Sequence, residues 1–141
     1  GEAVLFFPQG DGSDHARAVE RFPYLRKSSA HLVSKHRFIA APFVAVLREE
    51  IWLKHAAHAN AMARRLEAEL EQRDIALALP VESNGVYVSL PARVSEALDS
   101  AGFGAYGFGD PADGITRWLC SFDTTPDDVD SLVRVVERAR G

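Results

Sequence analysis

From Phe38 to about Gln72 the apolar side chains recur at helical spacing, and no other feature limits the possible folds of this chain as tightly. Ile39, Phe43, Val46 and Leu47 form one stripe, and Ala59, Met62, Ala63, Leu66 and Leu70 form another. One globular helix of that length is unusual, and Pro42 stands near its start. The pattern therefore predicts two helices, or one bent helix, with a break near Glu49 to Lys54. Ahead of it, Ala3 to Phe7 is apolar throughout and stopped by Pro8, which predicts a short buried strand. Gly10 to Asp14 reads as a turn, where Ser13 or Asp14 can cap a helix over about residues 15 to 22 that Pro23 ends. Arg26 to Arg37 reads as polar and irregular.

Beyond the long helix the period shortens. Ile75 to Leu79 and Val86 to Leu90 predict strands joined through Ser83-Asn84-Gly85. Pro91 opens a helix that Gly102 closes. Phe103 to Gly109 and Ile115 to Phe122 predict two more strands across the turn at Asp110 to Gly114. Thr124-Thr125-Pro126-Asp127-Asp128 is a helix start, with a hydroxyl cap, proline in the first turn and acids at the positive dipole end. Val129, Leu132, Val133 and Val136 supply that helix with a buried face. The order is an α/β unit with an α+β small domain: a long connecting helix, then a small mixed sheet with helices. There is no internal repeat and no low-complexity segment.

Composition narrows the function classes. Sixteen basic against 20 acidic residues leave a net charge of −4, which argues against a nucleic-acid module but leaves room for a local anion pocket. The one cysteine, Cys120, excludes an internal disulfide framework and a cysteine-rich zinc site, and fits a reducing cytoplasm. No apolar run approaches the roughly 20 residues of a membrane-spanning helix. The chain opens at Gly1 without an initiator methionine and enters a strand-like run at once, so a piece of a longer protein is expected. That opening has no basic segment of the signal-peptide kind.

Several groups of residues could carry chemistry. Arg26, Lys27, His31, Lys35, His36 and Arg37 lie just before the long helix, and read either as an anion pocket or as a solvated loop. His55 and His58 form an i,i+3 pair without a third ligand nearby, which reads as structural, and no metal site is expected. Arg117 interrupts the apolar run Ile115 to Phe122. A guanidinium among buried neighbours needs a carboxylate from protein or ligand, unless it lies on a solvated face. Cys120 reads as a small core residue. No glycine-rich phosphate loop is present.

Four stretches together resemble low-specificity L-threonine aldolases: Gly1 to Phe7, Arg26 to Phe38, Leu53 to Ala63 and Thr116 to Thr125. These are pyridoxal-phosphate lyases of the beta-eliminating group, with the aspartate-aminotransferase fold. The resemblance runs over essentially all of this chain but covers only the C-terminal part of such an enzyme. It implies that residues 1–50 are the tail of the large cofactor-binding domain and that residues 51–141 are the small C-terminal domain. It implies pyridoxal 5'-phosphate as cofactor, and cleavage of a β-hydroxy-α-amino acid to glycine and an aldehyde by a cytoplasmic homo-oligomer. Neither nucleic acid nor membrane is an expected partner. The Schiff-base lysine, the ring-stacking histidine and the pyridinium-pairing aspartate of the family would all fall upstream of Gly1. No catalytic residue is therefore expected in this chain, and as an isolated fragment it is expected to be inactive. Arg117 resembles the arginine that holds the substrate carboxylate. Lys35 or Arg37, in Ser34-Lys35-His36-Arg37, resembles the basic position that reaches cofactor phosphate from a neighbouring subunit. The alternatives are another pyridoxal-phosphate lyase or aminotransferase, and a stand-alone anion-binding α/β domain.

Overall fold

Local backbone signals account for most of the helices, and partners elsewhere in the chain account for the strands. In a computed structural model the described residues are 3–7, 13–104 and 106–141, without the side chains of Ser13 and Pro111. The predicted turn at Gly10 to Asp14 lies largely outside them, as does Pro8. The chain divides into two compact units, Gly1–Ile51 and Trp52–Gly141.

In the first unit, α1 (Ser13–Ser28) runs past Pro23, where it was predicted to end. Proline removes only the hydrogen bond to the carbonyl four residues back, that of Val19, and Val19 is exposed enough for water to replace it. The predicted irregular segment therefore shrinks. Helix α1 ends in a Schellman turn: the Ala30 N–H donates to Lys27 O and the His31 N–H to Arg26 O, with Ala30 in the left-handed region. Helix α2 (His36–Leu47) follows a left-handed Lys35 and accommodates Pro42. The predicted break falls at Arg48–Glu50, a 3-10 turn where Glu49 and Glu50 have φ of 61° and 57°. Residues 3–7 form no strand and are exposed, with Phe6 edge-on to Phe22 at 5.2 Å. An apolar pentapeptide becomes a strand only where another strand accepts its ladder, and the described part of this unit holds none.

The second unit is built on α3 (Ile51–Glu71), whose buried face is Ala59, Ala63, Leu66 and Leu70. It closes in a second Schellman turn through left-handed Asp74, which places Ile75 against Leu70. Then come β1 (Gly85–Ser89), α4 (Ala92–Ser100), β2 (Tyr106–Gly107), β3 (Ile115–Leu119) and α5 (Pro126–Arg140). The sheet order is β1-β3-β2, and every described pairing is antiparallel, so the small sheet is not mixed. Two predicted strands are much reduced. Ile75 to Leu79 contributes one bridge, Leu77 to Val88, and Phe103 to Gly109 contributes only β2. Val86 and Val88 of β1 and Thr116 and Trp118 of β3 are buried; the hydrophobic residues among them share one core with α3, α4 and α5. The helices thus cover one face of the sheet.

Helix α5 starts with the hydroxyl cap its sequence predicts, here closed into a capping box. Thr125 Oγ1 accepts from the Asp128 N–H, and the Asp128 carboxylate accepts from the Thr125 N–H at 2.8 Å and the Thr125 hydroxyl at 2.7 Å. These two bonds from Thr125 hold the Asp128 carboxyl below its ordinary value. A lowered folded-state value stabilises above the unfolded value, near pH ~3.9, and the contribution is lost as pH falls through the folded value. Thr125→Ala is expected to cost about 1 kcal/mol at pH 7. The gap in melting temperature from the parent chain should narrow below about pH 4, as Asp128 protonates in both chains. Calorimetry at the two pH values checks this.

Candidate functional site

The uncovered face of the sheet places Arg117 at its centre. Alternation along β3 turns Thr116 and Trp118 into the core and Arg117 away from it. In register, Arg117 pairs with Tyr87 on one side and Tyr106 on the other, so a tyrosine flanks it on each neighbouring strand. Phe108 packs edge-on against Tyr87 at 4.8 Å. Arg117 also lines an open cleft of about 340 Å3 that reaches the helix side of the sheet, where its wall includes Trp118 and Leu132 besides Phe103, Tyr106 and Leu119. Among the described residues no carboxylate lines it.

Arg117 is half-buried, and its Nε is fully buried with no hydrogen-bond partner. Arg65 also has a buried Nε without a hydrogen-bond partner, but it and Arg73 differ from Arg117 in being ion-paired within the chain. Arg65 binds Asp130 at 2.8 Å, and Arg73 binds Glu69 at 2.6 Å and Glu137 at 2.7 Å. Among the described residues no carboxylate lies within ion-pair distance of Arg117. A desolvated guanidinium donor without an acceptor is costly, and Arg117 lines the cleft without a counter-charge among the described residues. The planar fork suits a carboxylate.

The six basic residues of the segment 26–37 are divided by the fold. Arg26, His31 and His36 line one cavity, and Lys27 lines another groove beside Arg21. Lys35 and Arg37 are exposed at the start of α2, and the Arg37 guanidinium lies 5.0 Å from the Phe38 ring centroid. Lys54 is exposed on α3. His55 and His58 both serve packing. His55 stacks on Phe122 at 4.9 Å, and His58 Nε2 donates to Thr124 O at 2.7 Å, which fastens α3 to the loop after β3. Among the described residues no group of three potential ligands could hold a metal ion. Cys120 is buried in the core, and burial pushes its thiol up, away from the reactive thiolate. No helix among the described residues is long and apolar enough to cross a membrane. Nothing local in the sequence marks Tyr87 and Tyr106, because only the strand register makes them neighbours of Arg117.

The fold and this site define an α/β unit with a half-buried arginine beside an open cleft. Similar proteins sharpen the class. The whole chain is 39% identical to a low specificity L-threonine aldolase from Pseudomonas aeruginosa. Over 88% of its length it is 38% identical to another from Pseudomonas sp.. A solved threonine aldolase from Leishmania major superposes with a TM-score of 0.73 at 27% identity, over 84% of this chain and 35% of that one. No protein-family model matches the chain. The chain spans 38% and 34% of the two Pseudomonas enzymes. The chain is thus similar to low-specificity L-threonine aldolases, as the sequence motifs implied, and its α/β fold is that of part of a threonine aldolase.

Proposed function

We propose that this chain is the C-terminal part of a longer pyridoxal-phosphate-dependent lyase that cleaves β-hydroxy-α-amino acids, threonine among them, to glycine and an aldehyde. The observation that carries the reading is the buried, unpartnered Nε of Arg117 beside an open cleft, in a chain similar over its whole length to threonine aldolases. In this reading Arg117 grips the substrate α-carboxylate and thereby orients the bond to be broken. The cofactor, when bound, supplies an electron sink for the carbanion. Lys35 or Arg37, exposed at the start of α2, reaches the cofactor phosphate of a neighbouring subunit in a homo-oligomer. Residues 1–50 are then the tail of the large domain and residues 51–141 the small domain, in a cytoplasmic enzyme.

The residues present fit the margin of a pyridoxal-phosphate site and not its centre. A half-buried arginine able to hold a carboxylate, and exposed basic groups able to meet a phosphate, support this reading. Lys54, the lysine of the second unit, does not line the Arg117 cleft. The lysine that anchors the cofactor is accordingly assigned to the N-terminal part of the longer enzyme, and the isolated chain to inactivity. Mixed with pyridoxal phosphate and reduced with borohydride, the 141-residue chain is expected to show only scattered, substoichiometric labelling. A stoichiometric adduct mapped by mass spectrometry to one of the three lysines would overturn that assignment. Product analysis tests the activity itself: the longer enzyme fed L-threonine should release glycine and acetaldehyde in equal amounts. Transamination products in their place would favour an aminotransferase.

A further inference from the structure

Three side chains able to carry positive charge, Arg26, His31 and His36, line one cavity of about 570 Å3 in the first unit. The backbone brings them there. Arg26 lies in the last turn of α1, His31 completes the Schellman turn that closes it, and His36 is the first residue of α2. Left-handed Ala30 and Lys35 reverse the short link between the helices, so residues ten apart in sequence meet at one opening. Ser29 adds a hydroxyl, Val4 and Phe22 supply apolar wall, and among the described residues no carboxylate lines the cavity.

Two further features leave positive potential uncompensated. The Arg26 Nε is fully buried without a hydrogen-bond partner. The first turn of α2 contains no acidic residue, and Lys35 provides no side-chain cap to its N–H groups. An arginine fork with two imidazole donors matches the several acceptor oxygens of a small oxyanion.

We propose that this cavity binds a small oxyanion, a phosphate or carboxylate group, with Arg26 as the principal charge and His31 and His36 as flanking donors. The site is separate from the phosphate role assigned above, since Lys35 and Arg37 do not line it. It therefore stands whether or not the longer enzyme is an aldolase.

The test is a titration of the 141-residue chain with inorganic phosphate, with acetate in a parallel arm, following the ring C–H proton resonances of its five histidines by NMR. The His31 and His36 resonances should move together and saturably, while those of His55 and His58 stay in place. Arg26→Gln should weaken the response about tenfold or more, and Arg26→Lys, which keeps charge without the fork, should weaken it less. Circular dichroism confirms that each variant is folded, and Arg134→Gln, at an exposed position of α5 with no assigned role, should leave the titration unchanged. Competition by pyridoxal phosphate would assign the cavity to a phosphate group carried on a larger ligand, and lack of competition to a free oxyanion. Proportional shifts at all five histidines, no saturable shift, or full retention in both folded Arg26 variants would overturn the proposal.

Discussion

Arg117→Ala in the longer enzyme is expected to lower kcat/KM for L-threonine by about 10²-fold or more. A bidentate guanidinium–carboxylate pair comprises two charge-assisted hydrogen bonds, each worth roughly 1.5–3 kcal/mol. Losing both spans at least two decades, since about 1.4 kcal/mol is one decade. The carboxylate grip also orients the reacting bond, so kcat should fall as KM rises. Cofactor absorbance should persist, because Arg117 is assigned to substrate. Arg117→Lys should recover only part of the loss, for an ammonium cannot reproduce the fork. Steady-state kinetics on folded variants decide the matter. Near-normal kcat/KM in Arg117→Ala would return Arg117 to a structural role, and its unpartnered Nε would then need another acceptor.

Leu70→Ala carries the largest expected loss of stability. Leu70 is completely buried on α3, and its carbonyl accepts from the Ile75 N–H that closes the helix. Truncation removes buried methyl groups and leaves a cavity in a core shared with β1, β3 and α5, at a cost of about 2–5 kcal/mol. The melting temperature of the second unit should drop by on the order of 10–25 °C. Leu53→Ala serves as the control. That side chain is 44% exposed, and its loss should change stability by about 0.5 kcal/mol or less. A Leu70→Ala loss of under about 1 kcal/mol would mean that this core is far looser than its burial implies.

Arg117 itself was legible as a charged residue inside an apolar strand, and the strand is where the pattern places it. Its surroundings were not legible. Tyr87 and Tyr106 stand thirty and eleven positions away in sequence, and only the antiparallel register makes them its neighbours. The basic segment shows the same division. Its composition announced an anion pocket or a solvated loop, and two left-handed residues decided which side chains converge. Ala30 and Lys35 give no sign of that conformation, whereas Gly102, which closes α4 with φ of 86°, was readable because glycine adopts it without steric cost.

Helix signals reach only three or four residues along the chain, so they can be read without knowing the fold. Thr125 and Asp128 set the start of α5, Pro91 and Gly102 bracket α4, and the break in the long helix lands at Arg48–Glu50. Strands depend on distant partners, and there local pattern ran out. Val86 and Val88 found Trp118 and Thr116, while the equally apolar residues 3–7 pair with no described strand. Periodicity specifies which face of a segment is apolar. Only the tertiary structure supplies the surface that face is buried against, because a β ladder is made between segments and never within one.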